Sequence, residues 1–222
     1  MPDLGTRLLD LFHMKSFLLI LLGCASLAAQ PISVGVKGGL PLTEFVDTFS
    51  DGGVTLRSSN HLIIGPSVEL RLPGGIGVEL DALYRRFNYN ANSSVVNSIL
   101  HIDTSGNHWE FPLLLKKRLG GEGPVHPFVA AGFSFSKLSG LKSVVTNPQS
   151  TLTLNQPAEL KNDFATGVVI GGGIDIKALL IHIIPEIRFT RWNRDQIDGT
   201  IIPTRSLSSN RNQAEFLIGV TF

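Results

Sequence analysis

Apolar and polar residues alternate with a period of two along most of this chain. The alternation is clearest in His108–Leu138, HWEFPLLLKKRLGGEGPVHPFVAAGFSFSKL. Trp109, Phe111, Leu113 and Leu115 fall on one face, and Glu110, Pro112, Leu114, Lys116 and Arg118 on the other. In the returning stretch Pro127, Val129, Ala131, Phe133 and Phe135 share a face. His126, Ala130, Gly132, Ser134 and Ser136 share the opposite one, with Phe128 among them. Side chains alternate across a strand, so this pattern predicts two antiparallel strands, each with an apolar and a mixed face. Gly120–Pro124 is the turn between them.

The same period marks the flanking segments. Ile32, Val34, Val36 and Gly38 open a first strand. A second covers Leu62–Leu72 and turns at Pro73-Gly74-Gly75 into a third, from Ile76 to near Tyr89. Further strands are expected at Phe164–Ile176, Leu179–Phe189 and Ala214–Phe222. Between them lie polar segments read as loops: 41–61, 90–107, 140–163 and 191–210. Connections thus alternate between tight turns and loops of roughly fifteen to twenty-five residues, which compact soluble domains seldom contain. About eight strands with this asymmetry predict an all-β fold, a closed antiparallel up-and-down transmembrane β-barrel.

Alternation alone does not say which face points inward, and a soluble ligand-binding β-barrel would bury the apolar one. Three features besides the loop asymmetry favour lipid on the apolar face. An export signal precedes the barrel. Phe216, Ile218, Val220 and Phe222 end the chain with apolar residues on one face. Tyr84, Trp109, Phe111, Phe133, Phe135, Phe164 and Phe189 gather near the expected outer strand ends, as interfacial aromatics do. A basic residue facing lipid costs about 2–4 kcal/mol at the midplane. Glu79, Asp81, Arg85, Glu110, Glu186, Arg188 and Glu215 all fall on mixed faces and so belong in a lumen, as an ion-pair network. Glu69, Asp175, Arg71, Lys116, Arg118 and Lys177 join them there. Eight strands leave room only for side chains, which predicts a charge-filled plug rather than an open pore.

The N-terminal region has the proportions of a signal peptide at 14–29. Met14-Lys15-Ser16 is positive, Phe17–Leu22 is apolar, and Ala28 and Ala29 offer cleavage sites. Residues 1–13 add nothing to it and read as a mis-annotated extension, leaving 30–222 as the barrel domain. Cys24 is the single cysteine. It permits a second reading, a lipoprotein box at Leu21–Cys24, although Leu22 fits poorly there. With Lys+Arg 19 against Asp+Glu 18, the net charge of +1 gives no electrostatic case for nucleic acid.

The central hairpin also resembles a known family, the bacterial outer-membrane β-barrel domain of small porin-like proteins. Its members tend to carry an apolar–Glu–apolar–Pro–Leu–Leu–Leu–Lys strand, here Trp109–Lys116, followed by a strand of Pro, small residues, Gly and Ser, here Pro127–Ser134. Lys117-Arg118-Leu119 departs from the pattern, where an aromatic would be expected near the turn. The resemblance implies residence in the bacterial outer membrane after Sec-type export, contact with outer-membrane lipid, and an assembly signal of Phe216, Ile218, Val220 and Phe222 read by the barrel-assembly machinery. It implies no single activity.

Catalytic patterns are weak. His61, His101, His108, His126 and His182 do not fall at metal-ligand spacing, apart from a loose His101/His108 pair, so no metal or cofactor is expected. A lipid-modifying hydrolase would need a Ser–His–acid set. Ser134, His126 and Glu110 are the nearest candidates, yet eight residues of strand put roughly 27 Å between the first two. The expectation is a non-enzymatic barrel whose loops make surface contacts with a ligand the residues do not name; a small-solute or ion porin is the main alternative. Mass spectrometry of the exported protein should find cleavage after Ala28 or Ala29; a lipidated Cys24 would refute this.

Overall fold

The computed structural model describes residues 32–46, 49–51, 54–60, 62–95, 98–120, 123–147, 149–155, 160–202 and 205–222. The expected signal peptide and Cys24 lie outside the described residues. The strands are β1 (Ile32–Pro41), β2 (Phe49–Asp51), β3 (Val54–Asn60), β4 (Ile63–Leu72), β5 (Ile76–Asp81), β6 (Leu83–Val95) and β7 (Ser98–Arg118). They continue as β8 (Val125–Asn147), β9 (Ser150–Asn155), β10 (Phe164–Ala178), β11 (Ile181–Trp192), β12 (Asp198–Ile202), β13 (Arg205–Ser208) and β14 (Asn212–Thr221).

A ring of eight antiparallel walls runs β1, β4, β5 with β6, β7, β8, β10, β11 and β14. It closes where β14 pairs back on β1, with Gly35 opposite Thr221 and Pro41 opposite Glu215. Closure satisfies the ladder without a free edge, which a bilayer requires. The third wall is interrupted at Ala82, whose N–H donates to Pro66 O at 3.0 Å. Gly65 permits this approach, since a Cβ there would lie 1.9 Å from the Ala82 carbonyl oxygen.

Inside and outside are inverted relative to a soluble barrel. Val34, Val36, Leu80, Leu113, Leu115, Val129, Ile170 and Ile187 are all exposed on the outer surface. Lys37, Glu69, Glu79, Asp81, Arg85, Lys116, Glu186 and Arg188 are buried in the lumen. The soluble-barrel reading fails on this inversion, because its apolar faces would have to point inward.

Three sequence expectations need correction. The segments read as loops at 90–107 and 140–163 are largely strand. β6 and β7 remain paired out to Val95 opposite Ser98, and β8 continues to Asn147 before β9 returns along it. With β2 and β3, also inside an expected loop, they form a continuous six-stranded sheet beyond the barrel, ordered β2-β3-β6-β7-β8-β9. Part of the 191–210 segment likewise forms the β12–β13 hairpin. Outside the membrane neither face of a strand has to be apolar, so pairing persists after the period-two signal has faded. Second, Leu179 and Leu180 are the turn between β10 and β11, not the start of a strand. They are 94% and 87% exposed, and Leu179 takes a φ of 59° with no glycine or asparagine to announce it. Third, Lys177 is exposed near that turn rather than enclosed in the lumen.

The outer mouth is capped. Phe45 and Val46, after β1, pack with Ile197 onto the inward-facing Phe87, Tyr89, Leu138 and Leu141. Backbone contacts lock this cap: Val46 bridges Ser209, Leu160 bridges Ile197, and Asn210 N–H donates to Phe45 O at 2.8 Å. Arg211 donates two hydrogen bonds to Asp195, at 2.8 and 2.6 Å, and holds its carboxyl below the usual carboxylate range. A carboxyl with a lowered folded pKa stabilises above its unfolded value, about 3.9, and loses that contribution as pH falls through the lower folded value. Protease sensitivity of the 193–211 segment should therefore stay flat from neutral pH to about pH 5 and rise only below about pH 4; a rise near pH 6 would contradict the clasp.

Candidate functional site: a charge-filled lumen under an apolar cap

Among the described residues, the buried charges concentrate in the barrel interior. Its central layer is built on Lys37 of β1, Glu79 and Asp81 of β5, Lys116 of β7, and Glu186 and Arg188 of β11. The Lys37 ammonium lies 2.6 Å from Glu79, 2.7 Å from Glu186 and 3.3 Å from Asp81. Arg188 reaches Glu79, Asp81 and Glu186, each at 2.7 Å. Lys116 pairs with the other Glu79 oxygen and places its ammonium 4.5 Å from the Phe128 ring centre. Three bases thus meet three acids. Charges taken out of water are costly individually, and geometry of this quality is what offsets the penalty.

An outer polar layer lies toward the cap. Arg85 donates from Nε to His108 Nδ1 at 2.9 Å, from Nη2 to Gln213 at 2.6 Å, and from Nη1 to Glu215 at 3.3 Å. His108 Nε2 lies 2.6 Å from Ser136 Oγ, and that hydroxyl donates to Gln196 at 3.1 Å. Arginine is always a donor, so Nδ1 of His108 accepts and the proton of the neutral ring sits on Nε2, facing Ser136. His108 is therefore a donor to this serine and not its base. Phe45 covers the layer from above, 5.3 Å from the Arg85 guanidinium and 5.4 Å from the His108 ring.

A third layer faces the periplasmic turns. Arg118 spans Glu69, at 2.6 and 2.7 Å, and Asp175, at 2.8 Å. His182 joins Asp175 to Arg71 through its two ring nitrogens, at 2.6 and 3.1 Å. Leu114, Phe128, Ala130, Val169 and Ile184 form an apolar packing beside these charges in the lumen.

The structure brings Glu79, Asp81, Glu186 and Arg188 into one cluster and places Arg85 with Glu215 in another. Glu110 forms no ion pair with either among the described residues: it is buried and accepts a hydrogen bond from Ser134 at 2.8 Å, so its direct contact is a hydroxyl. Sequence reading missed Lys37, although the signal was present. Ile32, Val34 and Val36 alternate outward, which leaves Ser33, Gly35 and Lys37 inward. It also missed Phe45, Val46, Gln196 and Ile197, which carry no periodic signal because they reach the lumen from loops.

The expected aromatics lie on the outer wall. Tyr84 packs at a tilt against Trp109 at 5.0 Å, while Trp109 stacks near Phe111 at 6.3 Å and Phe135 near Phe164 at 6.4 Å. Phe133 and Phe189 are exposed on the same surface. Phe216, Ile218 and Val220 face outward on β14 opposite Leu40, Gly38 and Val36, and the Phe222 N–H donates to Val34 O at 3.0 Å. The Ser134–His126–Glu110 set does not assemble, since His126 pairs across from Asp175 at the far end of the barrel. His101 and His108 do not meet either: His101 contacts Asp103 on the projecting hairpin while His108 is enclosed. Among the described residues no His, Cys, Asp and Glu group could hold a metal ion.

A closed ring with an apolar exterior and a neutralised interior defines a transmembrane β-barrel. Residues 28–191 match the outer membrane protein beta-barrel domain family, and the chain belongs to that family. It is a protein of the bacterial outer membrane. No curated protein matches the chain significantly. Among solved structures it is similar to the outer membrane protein OprG of Pseudomonas aeruginosa, at 15% identity and a TM-score of 0.51, covering 86% of this chain and 92% of that one. It is also similar to AlkL, at 13% identity and a TM-score of 0.42, over 87% and 90% of the two chains. For the Neisserial surface protein NspA the values are 10% and 0.39, over 86% and 94%. At these identities the likeness concerns the fold alone.

Replacing Lys37 by Met leaves three buried acids facing two bases. Removing one partner of a buried pair typically costs about 3–5 kcal/mol. Urea unfolding in lipid vesicles should report a loss of that order for Lys37→Met, with part recovered by adding Glu186→Gln; an unchanged midpoint would refute the central role of Lys37.

Proposed function

We propose that this protein is a non-conducting, non-enzymatic barrel that anchors an extracellular β-sheet for contacts at the cell surface. The observation that carries this reading is the stacking of obstacles along the lumen: an apolar cap, a polar layer around Arg85, the central ion cluster and the Arg118 layer. A hydrated ion would have to break each in turn, and small-solute passage meets the same series. The tautomer of His108 supports the absence of serine chemistry, because the ring cannot take a proton from Ser136 while Arg85 holds Nδ1. The six-stranded projecting sheet supports the surface role. Its β9 pairs with the far end of β8, past the barrel wall, with Leu152 and Leu154 exposed. The lipid-facing row ending in Phe222 supports recognition by the barrel-assembly machinery during insertion.

Two measurements test this reading. In planar bilayers the purified protein should give no steady conductance; sustained channels of uniform size would overturn it in favour of a porin. On intact cells, Leu152→Cys should be labelled by a membrane-impermeant maleimide, and absence of labelling in a correctly folded variant would overturn the surface role.

A further inference from the structure

The outer wall carries a groove that the lumen reading does not use. It lies across β8, β10 and β11, where Val168 sits directly opposite Phe133 on one side and Arg191 on the other. Thr166 and Asn193 complete its upper end, and the recess has a volume of about 340 Å³. Phe133 and Val168 are 62% and 53% exposed, so both present their apolar surface to the bilayer. Arg191 is the penultimate residue of β11 and lies two residues beyond Phe189 of the aromatic set. That places its guanidinium at the outer headgroup level, where long basic side chains reach polar groups while their stems cover apolar wall.

The charge of Arg191 is what makes this groove informative. Three other bases near the outer rim have acids beside them: Arg211 with Asp195, Lys161 with Asp198, and Lys137 with Asp163. Among the described residues no carboxylate pairs with Arg191, whose Nη1 donates to the neutral Asn212 amide at 3.2 Å. Asn193 uses its oxygen to accept from the Thr166 N–H at 3.2 Å, which leaves its amide N–H groups as donors. A cation and amide donors therefore stand above an apolar floor, on the surface that faces lipid.

We propose that this groove binds one phosphorylated lipid of the outer leaflet. The headgroup phosphate sits on the Arg191 fork, which matches phosphate bidentately, with Asn193 as a second donor. The first methylenes of an acyl chain lie along Val168 and against the Phe133 ring. The arrangement selects an anionic phosphate head over a zwitterionic one, because a choline group would bring its own cation toward Arg191.

The test uses the full chain in nanodiscs of phosphatidylcholine doped with diphosphoryl lipid A, followed by detergent transfer and native mass spectrometry. One lipid A per chain should survive transfer. Arg191→Gln should cut its retention about five- to tenfold. Val168→Trp, which fills the groove and keeps the charge, should cut it comparably, while Arg191→Lys retains part. Heat-modifiable migration checks that each variant is folded. The proposal is overturned if Arg191→Gln retains lipid A as the parent does, if phosphatidylcholine is retained equally, or if Val168→Trp has no effect.

Discussion

Every charge in the membrane-spanning wall has to be kept away from hydrocarbon, and the central cluster of Lys37, Lys116 and Arg188 with Glu79, Asp81 and Glu186 is how this barrel meets that constraint. The six groups come from four non-adjacent stretches of chain, so the cluster joins walls that no single hairpin would hold together. Lys37 is pivotal because it lies on β1, the strand that must find β14 to close the ring. Its ammonium contacts acids from β5 and β11, on either side of that seam. Closure and charge burial are thus the same event.

The proposed function rests on how the rest of the lumen is filled. A single ion cluster leaves the ends of a barrel open to water. Here the outer end is shut by Phe45, Val46 and Ile197, which reach in from loops held by backbone hydrogen bonds and by the Arg211–Asp195 clasp. The periplasmic end is narrowed by Arg118 bridging Glu69 and Asp175. Serine and histidine are present inside, yet Arg85 commits His108 to a structural tautomer. Chemistry at the two surfaces is then more informative than chemistry in the lumen: a projecting sheet on the outer side, and Arg191 above an apolar groove on the wall.

Much of this architecture was legible residue by residue. The alternation in Ile76–Arg85, Trp109–Arg118 and Phe164–Ile176 assigned each side chain to lumen or lipid as the structure has it, because a strand that is lipid on one side and lumen on the other allows no slip of one residue. The same logic would have found Lys37. Where that constraint lapses, reading failed. Beyond the bilayer, Asn90–Asn107 looked like loop because its outer face no longer has to be apolar, so the period-two signal fades although Ala91 and Thr104 are buried on the inner face. Leu179-Leu180 looked like strand because the apolar run continues through them into Ile181 and no glycine or proline marks the turn.

The amino-acid order determined the barrel, its strand count and the lipid face of each strand, since those depend on local periodicity that the bilayer enforces. It also supplied the inventory of lumen charges. Which charge meets which was decided only in three dimensions. Glu110 ended on Ser134, and Lys37 on three acids from two distant strands, because strand register and shear bring inward positions to a common height that no linear spacing encodes. The cap depended on tertiary structure for the same reason: Phe45 and Ile197 lie about as far apart in the chain as the barrel allows, and they meet only because its closure brings the first and last outer loops together over one mouth.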